Sequence, residues 1–297
     1  MSDELAIEVR GLRKSYGSVR ALRGLDLEVR RGEIFGFLGP NGAGKTTTIR
    51  CLLDLIRPNG GTARVLGMDP QANPVAVRAR VGYLPGELRF EEGMTVEGAL
   101  RFLNGLRGRR ADWAHVRELA ERLSLDLKAQ ITNLSRGNKQ KVGIVQALMH
   151  RPELLMLDEP TVGLDPLMQR EVLRLVAEAR SAGTTVFFSS HNLTEVEEIA
   201  DRVGIIRQGL LVETAETRAL IGRALRRVRV RFREPIRVAA LADVPGVTVI
   251  SGDEGLGVTL QVEGEMDALI KRLATLPVVS LETERPSLEE VFLAYYQ

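Results

Sequence analysis

The apolar positions in the first two thirds of the chain form two alternating patterns. Short unbroken apolar runs, typical of strands buried on both faces of a parallel sheet, occur at residues 34–38, 154–157 and 185–188. Other stretches have helical spacing, such as residues 167–182, which Gly183 follows as a helix-ending residue. This alternation predicts an α/β fold in which helices cover a parallel sheet.

Two segments depart from this alternation. Residues from about 90 to 150 contain no convincing strand, so we expect a mostly helical insertion there. Near residue 226, arginines begin to alternate with apolar residues, and this period of two predicts a half-buried strand. The elements expected after it are a helix at 236–242, strands at 247–251 and 257–262, a helix at 266–276, a strand at 278–283 and a terminal helix. That βαββαβ order predicts a small α+β domain of ferredoxin-like fold.

The chain thus divides into a larger α/β domain at residues 1–217 and an accessory domain at residues 226–297. Its 297 residues match about two domains of ~150 residues each. Hydrophobic residues make up 44% of the chain, an ordinary globular share that argues against disorder. The net charge of +2 removes the simplest argument for a nucleic-acid partner, and we expect none.

The features that report on cellular location are few. Cys51, the one cysteine, lies in an apolar stretch where a small buried side chain is expected. The first residues lack the basic start and apolar core of a signal peptide. No apolar run approaches the ~20 residues that span a bilayer. These features predict a cytoplasmic protein.

The segment after the first buried strand matches the phosphate-binding pattern G-x-x-x-x-G-K-[ST]. Its glycines let backbone N–H groups face phosphate oxygens, and the helix that begins there adds the positive end of its dipole. We expect Lys45 to reach the β- and γ-phosphates of ATP and the Thr46 hydroxyl to bind Mg²⁺. A chance glycine-rich turn is disfavoured because a strand precedes the pattern and a helical stretch follows it. The expected nucleotide-binding residues here are Gly39, Pro40, Asn41, Gly42, Ala43, Gly44, Lys45, Thr46 and Thr47.

Two acidic residues follow the second buried strand. Asp158 stands at the end of the sheet, where a carboxylate can hold Mg²⁺. Glu159, one position later, is placed to polarise a water molecule in line with the γ-phosphate. Alone, two acids after a strand indicate only a solvated strand end. Together with a phosphate-binding loop upstream, they predict a nucleotide hydrolase.

The segment Leu134-Ser135-Arg136-Gly137-Asn138 resembles the L-S-G-G-Q signature of the ABC ATPase family. Ser135 has the pattern of a helix N-cap, so its hydroxyl and the following N–H groups are expected to form another phosphate site. Arg136 stands where the family usually has glycine, and Asn138 where it has glutamine. Ser135 and Gly137, which the resemblance assigns to the phosphate contact, are both present.

Further positions match the same family. Tyr16 resembles the aromatic residue that stacks on adenine, and Asp165 lies in a segment similar to the D-loop. His191, after the third buried strand, resembles the switch histidine that contacts the γ-phosphate. The resemblance implies a P-loop ABC ATPase domain with a helical subdomain, in which Lys45, Glu159 and His191 are catalytic.

The resemblance covers about residues 5–215, and one departure within it concerns the metal site. The family normally has a glutamine, which binds Mg²⁺ and senses the membrane subunit, where this chain has Gly86. Glu87 stands one position later. Either Glu87 replaces the glutamine as a metal ligand, or the site lacks that ligand.

The resemblance also implies an assembly. In the family, ATP lies between the P-loop of one subunit and the signature of another, and this chain has one copy of each. A homodimer is the simplest arrangement, and a different ATPase subunit as the second chain is the alternative. A membrane-spanning permease on a separate chain is implied as well. We therefore expect a peripheral protein on the cytoplasmic face of the cell membrane.

The C-terminal addition, around residues 286–293, resembles the tail domain of many ABC-2-type exporter ATPases. Residues 82–87 and 135–138 resemble the drug and antibiotic self-resistance branch, which includes daunorubicin-type exporters. The resemblance implies export of drugs, antibiotics or lipid-like small molecules; an ion, a polysaccharide or a peptide is the alternative cargo. Within the tail, Ser287 and Glu290 predict a capping box at a helix start.

Two other functions stay open. A soluble ABC ATPase acting on ribosomes or DNA usually carries two cassettes or long coiled coils, whereas this chain has one P-loop and no sustained heptad run. A regulatory subunit that binds ATP with little turnover is disfavoured by Glu159 and His191 but favoured by the missing glutamine. The C-terminal arginines are interpreted as a solvated face rather than a lipid or partner contact; they are Arg227, Arg229, Arg231 and Arg233.

Overall fold

The computed structural model describes residues 4–90, 93–108, 111–223, 226–253, 255–263 and 265–284. The chain divides into two compact units, residues 1–214 and residues 215–297. The second unit begins before the predicted boundary at 226, because it includes a helix at Thr217–Arg223 ahead of the arginine-rich strand.

The first unit alternates strands and helices as expected, and its last strand runs across the boundary. The strands are β1 (Leu5–Tyr16), β2 (Val19–Arg30), β3 (Ile34–Leu38), β4 (Gly60–Val65), β5 (Val81–Leu84), β6 (Leu154–Asp158), β7 (Thr185–Ser190), β8 (Arg202–Arg207) and β9 (Leu210–Glu216). The helices are α1 (Lys45–Leu52), α2 (Pro74–Arg80), α3 (Val96–Leu106), α4 (Trp113–Arg122), α5 (Arg136–Leu148), α6 (Pro166–Ser181) and α7 (Leu193–Ile199).

The main sheet contains six strands in the order β5-β6-β7-β3-β8-β9. From β5 to β8, neighbouring strands in this order run parallel. Every residue of β3, β6 and β7 is buried, which explains the unbroken apolar runs in the sequence. The predicted parallel sheet is therefore confirmed, and the carboxyl ends of β3, β5, β6 and β7 lie along one edge of it.

A second, antiparallel sheet with the order β2-β1-β4 was not predicted. In β2, Leu25, Leu27 and Val29 are buried while the residues between them are exposed, which is the period of two of a half-buried strand. These side chains share one hydrophobic core with Phe35 and Phe37 of β3. The two sheets therefore support each other around the start of α1.

The helical insertion lies between β5 and β6 and consists of α3, α4, a 3-10 turn at Ile131–Asn133 and α5. Within residues 93–108 and 111–150 the structure contains no strand, so this prediction is confirmed. Each helix begins with a capping side chain that accepts a hydrogen bond from a backbone N–H of the first turn. The caps are Thr95, Asp112 and Ser135.

The second unit contains α8 (Thr217–Arg223), β10 (Arg226–Phe232), α9 (Ala239–Ala242), β11 (Val247–Asp253), β12 (Gly257–Val262), α10 (Asp267–Leu273) and β13 (Val278–Glu284). Its antiparallel sheet has the order β11-β12-β10-β13, which with α9 and α10 confirms the predicted ferredoxin-like βαββαβ fold. Its core is built on Val228, Val230 and Phe232 of β10.

Both helices of this fold are shorter than predicted. Ile236 donates its N–H to the Gly255 carbonyl oxygen in the turn before β12, so it is not part of α9. Beyond α10, Thr275 and Leu276 donate to carbonyls three residues earlier, a tightened end ahead of Pro277. The predicted terminal helix, with its capping box at Ser287 and Glu290, lies outside the described residues.

The arginines of β10 stand opposite acidic residues of the neighbouring strand. The register places Arg227 opposite Glu284 and Arg229 opposite Glu282, both on β13. For Arg229 and Glu282, opposite charges at facing positions of an antiparallel pair stabilise each other by roughly 0.2–1 kcal/mol. This register supports the interpretation of the arginines as a solvated, charge-balanced face.

Candidate functional site

The predicted catalytic segments collect where the parallel strands end. Gly39 follows β3, Gly86 lies just beyond β5, Glu159 follows β6 and His191 follows β7. The carboxyl edge of a parallel sheet is the usual ligand site of such folds, because the loops from several strands converge there. Folding therefore gathers residues that are up to 152 positions apart, from Gly39 to His191.

Two glycines with positive φ shape the loop between β3 and α1. Gly42 and Gly44 have φ of 80° and 117°, a conformation that L side chains rarely adopt. A Cβ at Gly44 would also lie 2.9 Å from the Ala21 carbonyl oxygen, so the loop packs closely on β2. Lys45 is buried at the start of α1, and its Nζ donates to the Gly39 carbonyl oxygen at 2.5 Å. The ammonium group is thus held against the loop.

Lys45, Glu159 and His191 are connected by two successive side-chain contacts. The Lys45 Nζ lies 3.1 Å from the Glu159 Oε1, an ion pair without hydrogen-bond geometry. The Glu159 Oε2 lies 2.6 Å from the His191 Nδ1. The Glu159 side chain is 18% exposed and that of His191 is 55% exposed, so water reaches this pair. A carboxylate oriented by neighbours on both sides and open to water has the surroundings of a general base.

Asp158 ends β6 and is almost fully buried. Its Oδ1 accepts a hydrogen bond from the Ser189 hydroxyl at 2.6 Å, whereas its buried Oδ2 has no hydrogen-bond partner among the described residues. Leaving a buried acceptor unpaired costs about 1–3 kcal/mol, so this oxygen fits a cation ligand. Burial and the Asp158 charge raise the pKa of Tyr83 to about 12, so the Tyr83 hydroxyl stays protonated.

Gly86 lies beside this unpartnered carboxylate oxygen. A Cβ at position 86 would be 3.2 Å from the Asp158 Oδ2, so a glutamine side chain there would begin beside this oxygen. Glu87 is exposed and lines a groove of about 490 Å³ together with Arg136 and Lys139 of α5. The role of Glu87 as a metal ligand stays a prediction.

The backbone of Glu159 is held by residues that sequence analysis did not select. Its φ of 53° is left-handed, which costs a non-glycine residue about 1–3 kcal/mol. The Glu159 N–H donates to the Ser189 carbonyl oxygen at 3.1 Å. The Glu159 carbonyl oxygen accepts a hydrogen bond from the Gln140 Nε2, which also donates to the Pro160 carbonyl oxygen, both at 3.1 Å. Contacts from α5 and β7 therefore maintain this strained conformation.

A buried carboxylate also links the loops after β6 and β7. Glu195 of α7 is 6% exposed, and its Oε1 accepts hydrogen bonds from the Thr161 hydroxyl at 2.5 Å and the Asn192 Nδ2 at 3.0 Å. Its Oε2 accepts one from the Ser190 hydroxyl at 3.0 Å. These donors satisfy the buried charge. Since Ser190 and Asn192 flank His191, Glu195 supports the histidine loop, and no local sequence signal marked it.

The signature segment begins α5. The Ser135 Oγ accepts a hydrogen bond from the Asn138 N–H at 3.2 Å, which confirms the predicted N-cap. Gly137 packs so closely on the segment after β6 that a Cβ there would lie 2.5 Å from the Gly163 carbonyl oxygen. In the described part of the chain, no hydrogen bond or ion pair joins the signature to the P-loop that precedes α1.

Two other predicted nucleotide contacts occupy defined places. Asp165 is the N-cap of α6, and its Oδ1 accepts hydrogen bonds from the N–H groups of Leu167 and Met168 at 3.0 and 3.1 Å. Tyr16 is 47% exposed at the end of β1, with the Lys14 Nζ 5.3 Å from the ring centroid. Their contacts with a nucleotide stay predictions.

Comparison with known proteins agrees with this architecture. Residues 22–162 match the ABC transporter family, and residues 217–296 match the C-terminal domain of DrrA1-3-like ATP-binding proteins. The daunorubicin/doxorubicin resistance ATP-binding protein DrrA of Streptomyces peucetius is 36% identical, over 97% of this chain and 92% of that protein. The linearmycin resistance ATP-binding protein LnrL of Bacillus subtilis (strain 168) is 31% identical, over 97% of each chain.

The solved structures give the same result. An ATP-binding subunit of an ABC transporter superposes with a TM-score of 0.67 at 29% identity, over 72% of this chain and 91% of that chain. No helix among the described residues is long and apolar enough to cross a membrane. The family match, the identity over nearly the whole length and the P-loop site together show that the chain belongs to the nucleotide-binding ATPase subunits of ABC transporters, in the group that carries a DrrA-like C-terminal domain.

Proposed function

We propose that this chain hydrolyses ATP to energise an ABC-2-type exporter of drugs, antibiotics or lipid-like small molecules. The observation that carries the catalytic assignment is the line from Lys45 through Glu159 to His191, beside the unpartnered Oδ2 of Asp158. The exporter class is supported by relatives named as antibiotic resistance proteins, which match almost the whole chain. Export of an ion, a polysaccharide or a peptide is the alternative.

In this proposal ATP binds along residues 39–47. Backbone N–H groups of the loop and the amino end of α1 face the phosphates, and the Lys45 ammonium pairs with the β- and γ-phosphate oxygens. Thr46 and Asp158 would hold Mg²⁺, which would supply positive charge to neutralise the phosphates. Two protein ligands suit Mg²⁺, which usually completes its shell with substrate phosphates and water rather than a protein cage. Tyr16 stacks on the adenine ring.

Glu159 accepts a proton from the attacking water. As the oxygen of that water bonds to the γ-phosphorus, the bond from the γ-phosphorus to the bridging oxygen breaks and ADP leaves. His191, 2.6 Å from the Glu159 Oε2, orients this carboxylate and contacts the γ-phosphate.

A complete site requires a second chain. Ser135 and Gly137 at the start of α5 contact the nucleotide bound to the other chain's P-loop, and Asp165 lies beside the same interface. The support is that the chain has one copy of each motif and that the described contacts of Gly137 run to the segment after β6 rather than to its own P-loop. We propose a homodimer; a different ATPase subunit as the second chain is the alternative.

The cargo crosses the membrane through a permease that is a separate chain. The protein then lies on the cytoplasmic face of the membrane as a peripheral subunit, in keeping with membership of a family of transporter ATP-binding proteins. No nucleic acid is a partner in this proposal, since the net charge is only +2.

The test is transport by the complete complex. The full chain and the membrane protein that co-purifies with it are placed in lipid vesicles, and ATP hydrolysis and uptake of a fluorescent anthracycline are measured. We expect Mg²⁺-dependent hydrolysis coupled to drug movement. Lys45→Ala should abolish both activities, and Lys128→Ala, at an exposed position in the insertion, should abolish neither. Hydrolysis without drug movement would favour the alternative cargoes, whereas no hydrolysis would contradict the proposal.

A further inference from the structure

One buried side chain joins the signature helix to the catalytic loop of the same chain. Gln140 lies in α5 and is 7% exposed. Its Nε2 is 3.1 Å from the Glu159 carbonyl oxygen and 3.1 Å from the Pro160 carbonyl oxygen. An amide nitrogen has two N–H donors, and both are used here. The two bonds hold the peptide units that follow Glu159 in a set direction relative to α5.

A second contact reinforces this connection one turn earlier. Gly137 lies three residues before Gln140, so the two share a face of α5. A Cβ at Gly137 would lie 2.5 Å from the Gly163 carbonyl oxygen and 3.8 Å from the Leu164 side chain. The helix therefore touches the segment after β6 at two points. Because interiors are closely packed, α5 cannot shift without moving this segment or breaking both contacts.

The catalytic loop needs such a restraint. Glu159 has a left-handed backbone, with a φ of 53°, that its own side chain does not favour. Its N–H is held by the Ser189 carbonyl oxygen at 3.1 Å, on the β7 side. On the α5 side, the Glu159 carbonyl oxygen accepts a hydrogen bond from the Gln140 Nε2 at 3.1 Å. The Val162 N–H donates to the same oxygen over a longer distance, 3.4 Å. Gln140 is thus the side-chain donor that fixes this peptide.

We propose that Gln140 is a positioning residue that couples the two ATP sites of the dimer. The inference rests on the proposed roles of Glu159 as the base and of the signature in the second chain's site. The amino end of α5 contacts the nucleotide bound to the other chain. The same helix orients Glu159 of its own chain through Gln140. When the signature of one chain binds ATP held by the other chain's P-loop, Glu159 of the first chain is aligned. Each site therefore hydrolyses ATP efficiently only when the other site holds ATP.

The first experiment replaces the amide in the full chain. Gln140→Met keeps the length of the side chain but has no N–H donor, and Gln140→Glu serves as a second variant if the methionine chain does not fold. Gln146→Met is the matched control, because Gln146 lies in the same helix and donates to the Tyr83 carbonyl oxygen instead. We expect kcat to fall about tenfold or more for the position-140 variants, the scale seen when a supporting contact is lost.

The expected loss is confined to kcat, with KM for ATP and the melting temperature close to those of the parent. The Gln146→Met chain should keep both its kcat and its dependence on ATP concentration. The parent should also show a Hill coefficient above one for hydrolysis, and the Gln140→Met chain a coefficient near one. An unchanged kcat, or a loss confined to KM, would overturn the proposal.

The decisive arm uses mixed dimers of two differently tagged copies. In the first, Gln140→Met and an intact Glu159 are in the same chain, and the second chain carries Glu159→Gln. In the other dimer, Gln140→Met and Glu159→Gln are both in the second chain. The first chain is then unchanged, and its active Glu159 keeps its own Gln140. We expect hydrolysis to fall in the first dimer and to match the single Glu159→Gln mixed dimer in the other.

The outcomes separate two kinds of failure. If the loss follows Gln140→Met in the opposite chain, or is equal in both arrangements, Gln140 acts through the signature contact and the coupling inference is wrong. If the parent dimer does not hydrolyse ATP, or Glu159→Gln has no effect, the proposed function itself is wrong, whatever Gln140 does.

Discussion

The His191 Nδ1 lies 2.6 Å from the Glu159 Oε2, while the other oxygen of the same carboxylate lies 3.1 Å from the Lys45 Nζ. The three side chains stand at the ends of three different parallel strands, or one loop beyond them. Glu159 is therefore oriented from both sides, and removing His191, which leaves the Lys45 ion pair in place, should slow hydrolysis without abolishing it.

His191→Ala should slow ATP hydrolysis but leave ATP binding intact. The physical reason is that the Glu159 carboxylate loses the partner that orients Oε2, while the Lys45 ion pair stays. The loss should be smaller than that caused by Glu159→Gln, which removes the base itself. Steady-state kinetics on both variants provide the comparison. His115→Ala, at a histidine paired with Glu118 in the insertion, is the control and should match the parent. A larger loss for His191→Ala than for Glu159→Gln would show that the roles are reversed.

Tyr16→Ala should weaken ATP binding through the base and not through the phosphates. An aromatic platform contributes about 1–3 kcal/mol per stacked base, which is a loss of roughly 5- to 150-fold in affinity. Calorimetric titration with ATP and with inorganic triphosphate separates the two parts of the ligand. Equal affinity of variant and parent for ATP would mean that Tyr16, which is exposed at the end of β1, is only a surface residue.

Cys51 gives a prediction about stability against pH. Burial raises the pKa of this thiol from 9.0 to about 11, and its side chain is 2% exposed, as the sequence predicts. The folded chain therefore keeps its proton while the unfolded chain loses it. The contribution of the buried, protonated thiol to the free energy of unfolding is fully present below pH 9.0 and is lost as pH rises through about 11.

The measurement compares urea unfolding of the parent with that of Cys51→Ala. Their difference in unfolding free energy should be constant below pH 9.0 and should shift against the parent by roughly 2–3 kcal/mol by pH 11, because each pKa unit corresponds to ~1.4 kcal/mol. The alanine chain lacks the thiol, so other titrations cancel in the difference. A difference that does not change with pH would contradict the buried, protonated thiol.

Truncation after residue 217 should leave ATP binding intact. The C-terminal unit has its own hydrophobic core, and among its described residues no group of three or more His, Cys, Asp or Glu side chains converges. Dimer stability or association with the permease should weaken, because a domain of this size can add hundreds of Å² of contact. Nucleotide titration and sedimentation of the truncated chain measure both effects. Loss of ATP affinity in a folded, monomeric truncation would place the tail at the nucleotide site.

The P-loop, the two acids and the N-cap at Ser135 could be predicted because their signals are local. The P-loop joins a strand to a helix start, the two acids directly follow an apolar strand, and Ser135 directly precedes the helix that it caps. The parallel sheet was predictable for the same reason, since strands buried on both faces read as unbroken apolar runs. The antiparallel sheet was missed although Leu25, Leu27 and Val29 alternate in β2, because the first 30 residues carry no comparable unbroken apolar run.

The supports of the catalytic loop were not predictable from local pattern. Gln140 and the Glu159 carbonyl oxygen are 19 positions apart, and Glu195 and Thr161 are 34 apart. A polar residue on a helix most often faces solvent, and nothing in the neighbouring sequence marks these two as buried. Their burial follows from how α5 and α7 pack on the sheet, which is a tertiary result.

The measurement that tests the account most directly is hydrolysis and dimerisation of Glu159→Gln. The variant keeps Lys45 and the other P-loop residues, so we expect ATP to bind normally while hydrolysis falls at least ~100-fold, the scale of a lost general base. Because cleavage no longer reopens the dimer, size-exclusion chromatography with ATP and Mg²⁺ should show a stable dimer. Glu118→Gln, at an exposed acid in the insertion, should behave like the parent. A Glu159→Gln chain that hydrolyses ATP at the parent rate, or stays monomeric with ATP bound, would contradict the central role of Glu159.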